Sequence, residues 1–188
     1  MTTANKITIS RFILIPIMVA LLAINDTKTI NLIGLEMGLY RFIGAIIFII
    51  ASITDFLDGY IARKKNQITT FGKFLDPIAD KVLVISAMIY FVEVNEIFGW
   101  TVIIIIIREF LVTGIRLLAV EKGKVIAASP YGKIKTVSTM IALIVIFFNN
   151  FGLNTIVGDI LWYIAVFFTV LSGVDYLLKN KTIVFESI

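Results

Sequence analysis

Four aspartates set at the repeat of an α-helix are the residues of this chain best suited to chemistry. One pair stands in Asp55-Phe-Leu-Asp58-Gly59-Tyr-Ile-Ala62-Arg63 and the other in Gly72-Lys-Phe-Leu-Asp76-Pro-Ile-Ala-Asp80. At about 100° per residue, Asp55, Asp58, Gly59 and Ala62 fall within about 100° of one another, so two carboxylates sit beside two positions with almost no side chain. Asp76 and Asp80, four apart, share a face in the same way, and Pro77 suits a first helical turn. Carboxylates at the ends of neighbouring membrane helices repel one another and are costly to desolvate unless cations neutralise them. Two divalent ions about 3.5–4 Å apart would do so, an arrangement used for displacement at phosphorus. Gly59, Ala62 and Gly72 would let a bulky ligand approach the backbone, and Arg63 would grip a phosphate. A solvated acidic loop is the ordinary fate of such residues, but these acids keep helical spacing beside small residues. An EF-hand fails, because its acids alternate at every second position.

The rest of the composition narrows the chemistry. The 188 residues include no histidine and no cysteine, which excludes disulfides, thiolate nucleophiles, Ser-His-Asp triads and Cys/His metal sites. Acid–base work falls to Asp, Glu, Lys, Arg or Tyr, and a metal must accept oxygen ligands, which leaves hard cations such as Mg2+ or Mn2+. Hydrophobic residues make up 59% of the chain and charged ones only 16%, with a mean hydropathy of +1.00, whereas soluble domains carry about 25% charged residues. The chain reads as a membrane protein. In that setting the net charge of +4 points to an anionic lipid surface and away from nucleic acid.

The elements that must position the aspartates are six apolar stretches, at about 9–25, 40–62, 74–94, 98–120, 134–152 and 156–178, each near the roughly 20 residues a spanning helix needs. The first is short of basic flanks upstream, lacks the small-residue cleavage site of a signal peptide and reads as a retained span. No soluble domain is left over, so residues 1–188 form one transmembrane domain: an all-α, integral membrane bundle of six transmembrane helices. Lys6 and Arg11, the run Arg63 to Lys81, the run Lys122 to Lys135, and Lys179 with Lys181 fall on one side, against Lys28 and Arg41 on the other. Positive residues favour the cytoplasm, so both termini are expected there. Trp100 and Trp162 are expected as anchors at the outer interface.

The aspartate pattern resembles the signature of the CDP-alcohol phosphatidyltransferases, D-x-x-D-G-x-x-A-R, a spacer, then G-x-x-x-D-x-x-x-D. Asp55, Asp58, Gly59, Ala62, Arg63, Gly72, Asp76 and Asp80 occupy every fixed position. The resemblance implies that Asp55, Asp58, Asp76 and Asp80 surround two divalent cations, Mg2+ or Mn2+. It implies further that Gly59, Ala62, Arg63 and Gly72 hold the CDP group of CDP-diacylglycerol, that Asp80 is the general base, and that the enzyme is a homodimer.

The acceptor alcohol must be read elsewhere. Arg108, Glu109 and Arg116 lie within the fourth stretch, and charges inside a span point to function. Glu109 and Arg116, seven apart, share a face, so a structural pair tying helices together is the alternative. The fifth stretch opens with Gly132-Lys133-Ile134-Lys135-Thr136. A phosphorylated acceptor needs cationic partners, which Arg108, Arg116, Lys135 and Lys133 would supply, although the two lysines also suit ordinary cytoplasmic flanks. These segments, with Asn5, Thr8 and Arg11 near the start, look like the family member that uses glycerol 3-phosphate. That resemblance implies attack of the acceptor's primary hydroxyl on CDP-diacylglycerol, giving phosphatidylglycerophosphate and CMP, on the cytoplasmic side of the plasma membrane.

Other acceptors within the family are inositol phosphate, serine and phosphatidylglycerol. A membrane prenyltransferase also binds magnesium diphosphate through aspartates, but is longer and lacks the D-G-x-x-A-R pattern. A divalent-cation transporter would favour acids near mid-membrane and related halves; here the acids cluster toward one edge.

Overall fold

A computed structural model describes residues 3–24, 28–32, 35–64, 70–124, 126–127 and 129–182. Most of them are helical: α1 Thr3–Leu22, α2 Leu39–Lys64, α3 Thr70–Glu93, α4 Gly99–Glu121, α5 Pro130–Phe147 and α6 Ile156–Lys179. Each helix takes up one of the six apolar stretches, with ends shifted by a few residues. The chain is not purely helical, however. Strands β1 Thr29–Leu32 and β2 Leu35–Gly38 pair antiparallel, with Thr29 opposite Gly38 and Ile30 opposite Met37. A two-stranded hairpin alone is marginal in stability. This one gains from burial of Met37 and from the Asn149 side-chain amide, which donates to the Glu36 carbonyl at 3.3 Å.

Pro77 stands differently from its expected place. Helix α3 begins at Thr70, so Pro77 lies inside it, in the third turn. Proline has no N–H, so the carbonyl four residues earlier receives no helical bond from it. A helix tolerates such a break where neighbouring groups satisfy the freed carbonyl.

The chain divides into two compact units, residues 1–96 with 144–153, and residues 97–143 with 154–188. In the first, α1 packs on both α2 and α3, and α2 on α3. A Cβ added at Gly44 would stand 2.7 Å from Leu22 Cδ2, so a larger residue there would force the Leu22 side chain aside where the end of α1 meets α2. Met18, Phe48, Leu83, Phe91 and Phe147 are fully buried. The Phe91 and Phe147 rings meet edge to face at 4.6 Å, with Phe48 at 5.3 Å from Phe147. Aromatic pairs of this kind add to the burial of their area. Arg41 covers one end of this core: its Nε donates to the Phe147 carbonyl at 3.0 Å, and a terminal nitrogen donates to the Ile146 carbonyl. These belong to the last turn of α5, whose carbonyls have no helical partner. The chain then turns tightly through Asn149, Asn150, Phe151 and Gly152, at φ of 49°, 56°, 53° and 73°. Phe148 stacks on Phe151 at 5.4 Å across that turn.

In the second unit α4 packs on α6, with Val112, Ile115 and Tyr176 buried together and Leu111 and Ile126 against them. Trp162, expected at an interface, is instead 2% exposed. Its indole N–H donates to Thr101 Oγ1 at 2.9 Å, which satisfies the polar edge that otherwise draws tryptophan toward water. Trp100 is 54% exposed.

Polarity is distributed inside out. Thr101, Lys135, Thr139, Thr169 and Ser172 are buried, while Ile103, Ile107, Phe110 and Leu117 of α4 and Phe167, Val174 and Leu178 of α6 are exposed. An apolar exterior of this extent suits lipid rather than water. Among the described residues, Pro130–Phe147 and Ile156–Lys179 are long and apolar enough to cross a bilayer, and Thr8–Leu22 and Leu39–Thr54 are shorter apolar helices.

Candidate active site

The last turns of α2 carry Asp55, Asp58, Gly59, Ala62 and Arg63, and α3 carries Gly72, Asp76 and Asp80. Helix α2 is continuous through Lys64, so the spacing that sets Asp55, Asp58, Gly59 and Ala62 on one face operates on a real helix. Gly72, Asp76 and Asp80, each four apart, form a second row on α3, which packs against α2. The side chains at 55–64, 70–74 and 76 lie outside the described residues; Asp80 is half-buried. Four carboxylates, if they converge, would suit hard divalent cations best. Among the described residues, no group of three or more His, Cys, Asp or Glu side chains gathers where it could hold a metal.

The second unit holds a cluster of charges whose geometry is fully described. Arg108 and Glu109 project from α4, and Lys135 projects from the second turn of α5. Arg108 Nη1 donates to Glu109 Oε1 at 2.8 Å, and Lys135 Nζ donates to the same oxygen at 2.7 Å. Side-chain exposure is 12% for Arg108, 19% for Glu109 and 7% for Lys135. Arg108 Nε donates to Ser172 Oγ of α6 at 3.1 Å, and Ser172 in turn donates to the Thr169 carbonyl at 3.0 Å. Two cations thus meet one carboxylate in a mostly dry setting. The surplus positive charge suits an anionic ligand.

The alternative reading, a structural pair of Glu109 with Arg116, does not form. Seven residues separate them by about 10.5 Å along the helix axis, too far for direct contact despite their shared face. Glu109 is taken by Arg108 and Lys135 instead. Arg116 Nε donates to the Tyr176 hydroxyl at 3.3 Å, and its guanidinium lies over the Tyr176 ring, 5.8 Å from the centroid. Lys133 is exposed and is not part of the cluster. Of the four expected acceptor residues, Arg108 and Lys135 therefore come together, while Arg116 and Lys133 stand apart from them.

Ser172, Gly173 and Tyr176 escape a reading of sequence alone. Their one signal is a small, polar Ser172-Gly173 step within an otherwise apolar stretch. On α1, Thr8 and Arg11 are buried, at 1% and 0% exposure; the side chain of Asn5 lies outside the described residues.

The family model for CDP-alcohol phosphatidyltransferase matches residues 1–171. The chain is 46% identical over 180 residues to a Bacillus subtilis protein named CDP-diacylglycerol--glycerol-3-phosphate 3-phosphatidyltransferase, covering 94% of this chain and 93% of that one. A Rickettsia typhi protein of the same name is 40% identical over 183 residues, covering 95% and 96%. One from Haemophilus influenzae is 42% identical over 151 residues, covering 78% and 82%.

Proposed function

Because the chain belongs to the CDP-alcohol phosphatidyltransferase family, we propose that it joins the phosphatidyl group of CDP-diacylglycerol to the primary hydroxyl of glycerol 3-phosphate. The products are phosphatidylglycerophosphate and CMP. The observation that carries the choice of acceptor is the meeting of Arg108 and Lys135 at one point. Two cations, Lys135 buried and Arg108 largely so, suit an acceptor that bears a phosphate, and serine has no use for them. The names of the relatives agree with this acceptor.

Asp55, Asp58, Asp76 and Asp80 hold two divalent cations, Mg2+ or Mn2+. Bound there, the cations supply neutralisation of the diphosphate and of the departing CMP. Gly59, Ala62 and Gly72 leave room for the CDP group, and Arg63 pairs with its diphosphate. Arg108 and Lys135 anchor the acceptor's phosphate and so orient its hydroxyl, while Arg116 and Lys133 add attraction at longer range. Asp80 takes the hydroxyl proton as the oxygen bonds to the phosphatidyl phosphorus. The bond from that phosphorus to CMP breaks, and CMP leaves with the electron pair.

In this reading the six helices are spans of a single transmembrane domain, both termini face the cytoplasm, and the reaction runs at the cytoplasmic side of the plasma membrane in a homodimer. Lateral access from the bilayer admits the lipid tails. The deciding experiment measures CMP release from CDP-diacylglycerol by the purified protein, with and without divalent cation, across an acceptor panel. Preference for glycerol 3-phosphate supports the assignment. Preference for serine, inositol phosphate or phosphatidylglycerol removes it.

A further inference from the structure

We propose that Glu109 is a positioning residue for the acceptor's phosphate. Its single oxygen Oε1 draws Arg108 from α4 and Lys135 from α5 onto one point, and Gly132 and Gly173 leave the space in which Arg108 is held there. The inference rests on the acceptor reading above and adds residues that the reading does not use.

The donor inventory supports it. A guanidinium offers five N–H donors and an ammonium three. Arg108 commits one donor to Ser172 and one to Glu109, and Lys135 commits one to Glu109. Both nitrogens lie within hydrogen-bond distance of one atom, so a single tetrahedral phosphate is small enough to take remaining donors from both. Without the carboxylate, the two cations repel one another in a low dielectric and separate. Glu109 offsets that repulsion and still leaves one surplus positive charge for the ligand.

The packing around Arg108 favours a precise role over a simple tie between helices. A Cβ at Gly173 would lie 3.2 Å from Arg108 Cγ, and a Cβ at Gly132 would lie 3.2 Å from Arg108 Nη2. The stem and the head of one side chain thus rest against two glycines from two further helices. A helix tie needs one ion pair. A second buried cation and two fitted glycines add definition of position, which matters when a misplacement of an ångström is costly to rate.

The test uses the full-length enzyme in lipid-containing micelles, with separate Michaelis constants for the two substrates and the thermal shift produced by glycerol 3-phosphate without CDP-diacylglycerol. Glu109→Gln is expected to raise the constant for glycerol 3-phosphate about tenfold or more, to leave that for CDP-diacylglycerol within about twofold, and to abolish the thermal shift. Glu109→Asp, which keeps the charge but shortens its reach, should fall between it and the wild type. Gly173→Ala is the second arm: alanine raises helix propensity, so a selective loss of acceptor affinity there cannot come from a weakened helix. If Glu109→Gln fails to fold, Glu109→Asp and Gly173→Ala decide the matter alone. Variants that shift both constants alike, or neither, overturn the positioning role. Arg108→Ala and Lys135→Ala separate the two claims. If they leave the constant for glycerol 3-phosphate unchanged, the acceptor reading itself fails; if they raise it while Glu109→Gln and Gly173→Ala do not, only the positioning role fails.

Discussion

The guanidinium of Arg41 and the carboxylate of Glu96 meet fork to fork: Nη1 faces Oε1, and Nη2 donates to Oε2 at 2.8 Å. The same arginine also caps the closing carbonyls of α5 and lies over the Phe91 ring, 5.6 Å from its centroid. One side chain therefore joins the start of α2, the segment after α3 and the end of α5. Arg41→Ala is expected to cost about 1.5–3 kcal/mol of stability, the range for a hydrogen bond to a charged group. Glu96→Gln should cost less, because the carbonyl contacts survive. Thermal unfolding in detergent checks this, and equal midpoints for wild type and Arg41→Ala would contradict it.

Asp55→Asn, Asp58→Asn and Asp76→Asn are each expected to abolish turnover in protein that still inserts and folds, since an amide oxygen is a poorer ligand for a hard cation than a carboxylate. Chelation should do the same and be reversed by adding Mg2+ or Mn2+. Full activity in EDTA, or in any one of the three variants, would remove the two-cation mechanism.

Asp80→Asn should reduce the turnover number far more than it weakens CDP-diacylglycerol binding, as befits a group that receives a proton only during reaction. Parallel measurement of nucleotide-lipid affinity and single-turnover rate decides it. Equal losses in both would make Asp80 a ligand only and leave the base to be found elsewhere.

Arg108→Ala and Lys135→Ala are expected to raise the Michaelis constant for glycerol 3-phosphate by about ten- to a hundredfold, since a hydrogen bond to a charged group is worth roughly 1.5–3 kcal/mol. Lys133→Ala, which alters an exposed residue, should change it less than about threefold. Arg63→Ala should act on the constant for CDP-diacylglycerol instead. A Lys133 variant as impaired as the Lys135 variant would show that exposure misjudges the site.

Thr101→Val removes the acceptor of the Trp162 indole while keeping its volume, and the buried N–H then lacks a partner. The expected cost is about 1–3 kcal/mol, and Thr101→Ser should recover most of it. Thermal midpoints of the three proteins test the claim, which an unchanged Thr101→Val midpoint would refute.

The aspartate rows were legible in the sequence because every relation among Asp55, Asp58, Gly59 and Ala62 is local: a helical repeat alone settles their common face. Arg108 and Lys135 were legible as cations inside apolar stretches, but their meeting was not, since it depends on how α4 and α5 pack. The angle shared by Glu109 and Arg116 was correct, yet the rise along the axis decided against their pairing. The hairpin at 29–38 was hidden by its short strands, and its contact with Asn149 comes from more than a hundred positions away. Trp162 follows the same logic: hydropathy places it near a helix end, and only its contact with Thr101 turns it inward.

The turn from Asn149 to Gly152 winds in the mirror sense to the helices on either side of it. For L-residues other than glycine that sense costs roughly 1–2 kcal/mol each, least for asparagine. The rules of replacement are therefore inverted over these four positions. Valine and isoleucine, which most of this chain accommodates readily, are the residues most strongly excluded here, while glycine, elsewhere a weakness in a helix, is a gain. A residue of D configuration, disruptive anywhere in the neighbouring helices, would fit at Phe151 with its backbone relaxed.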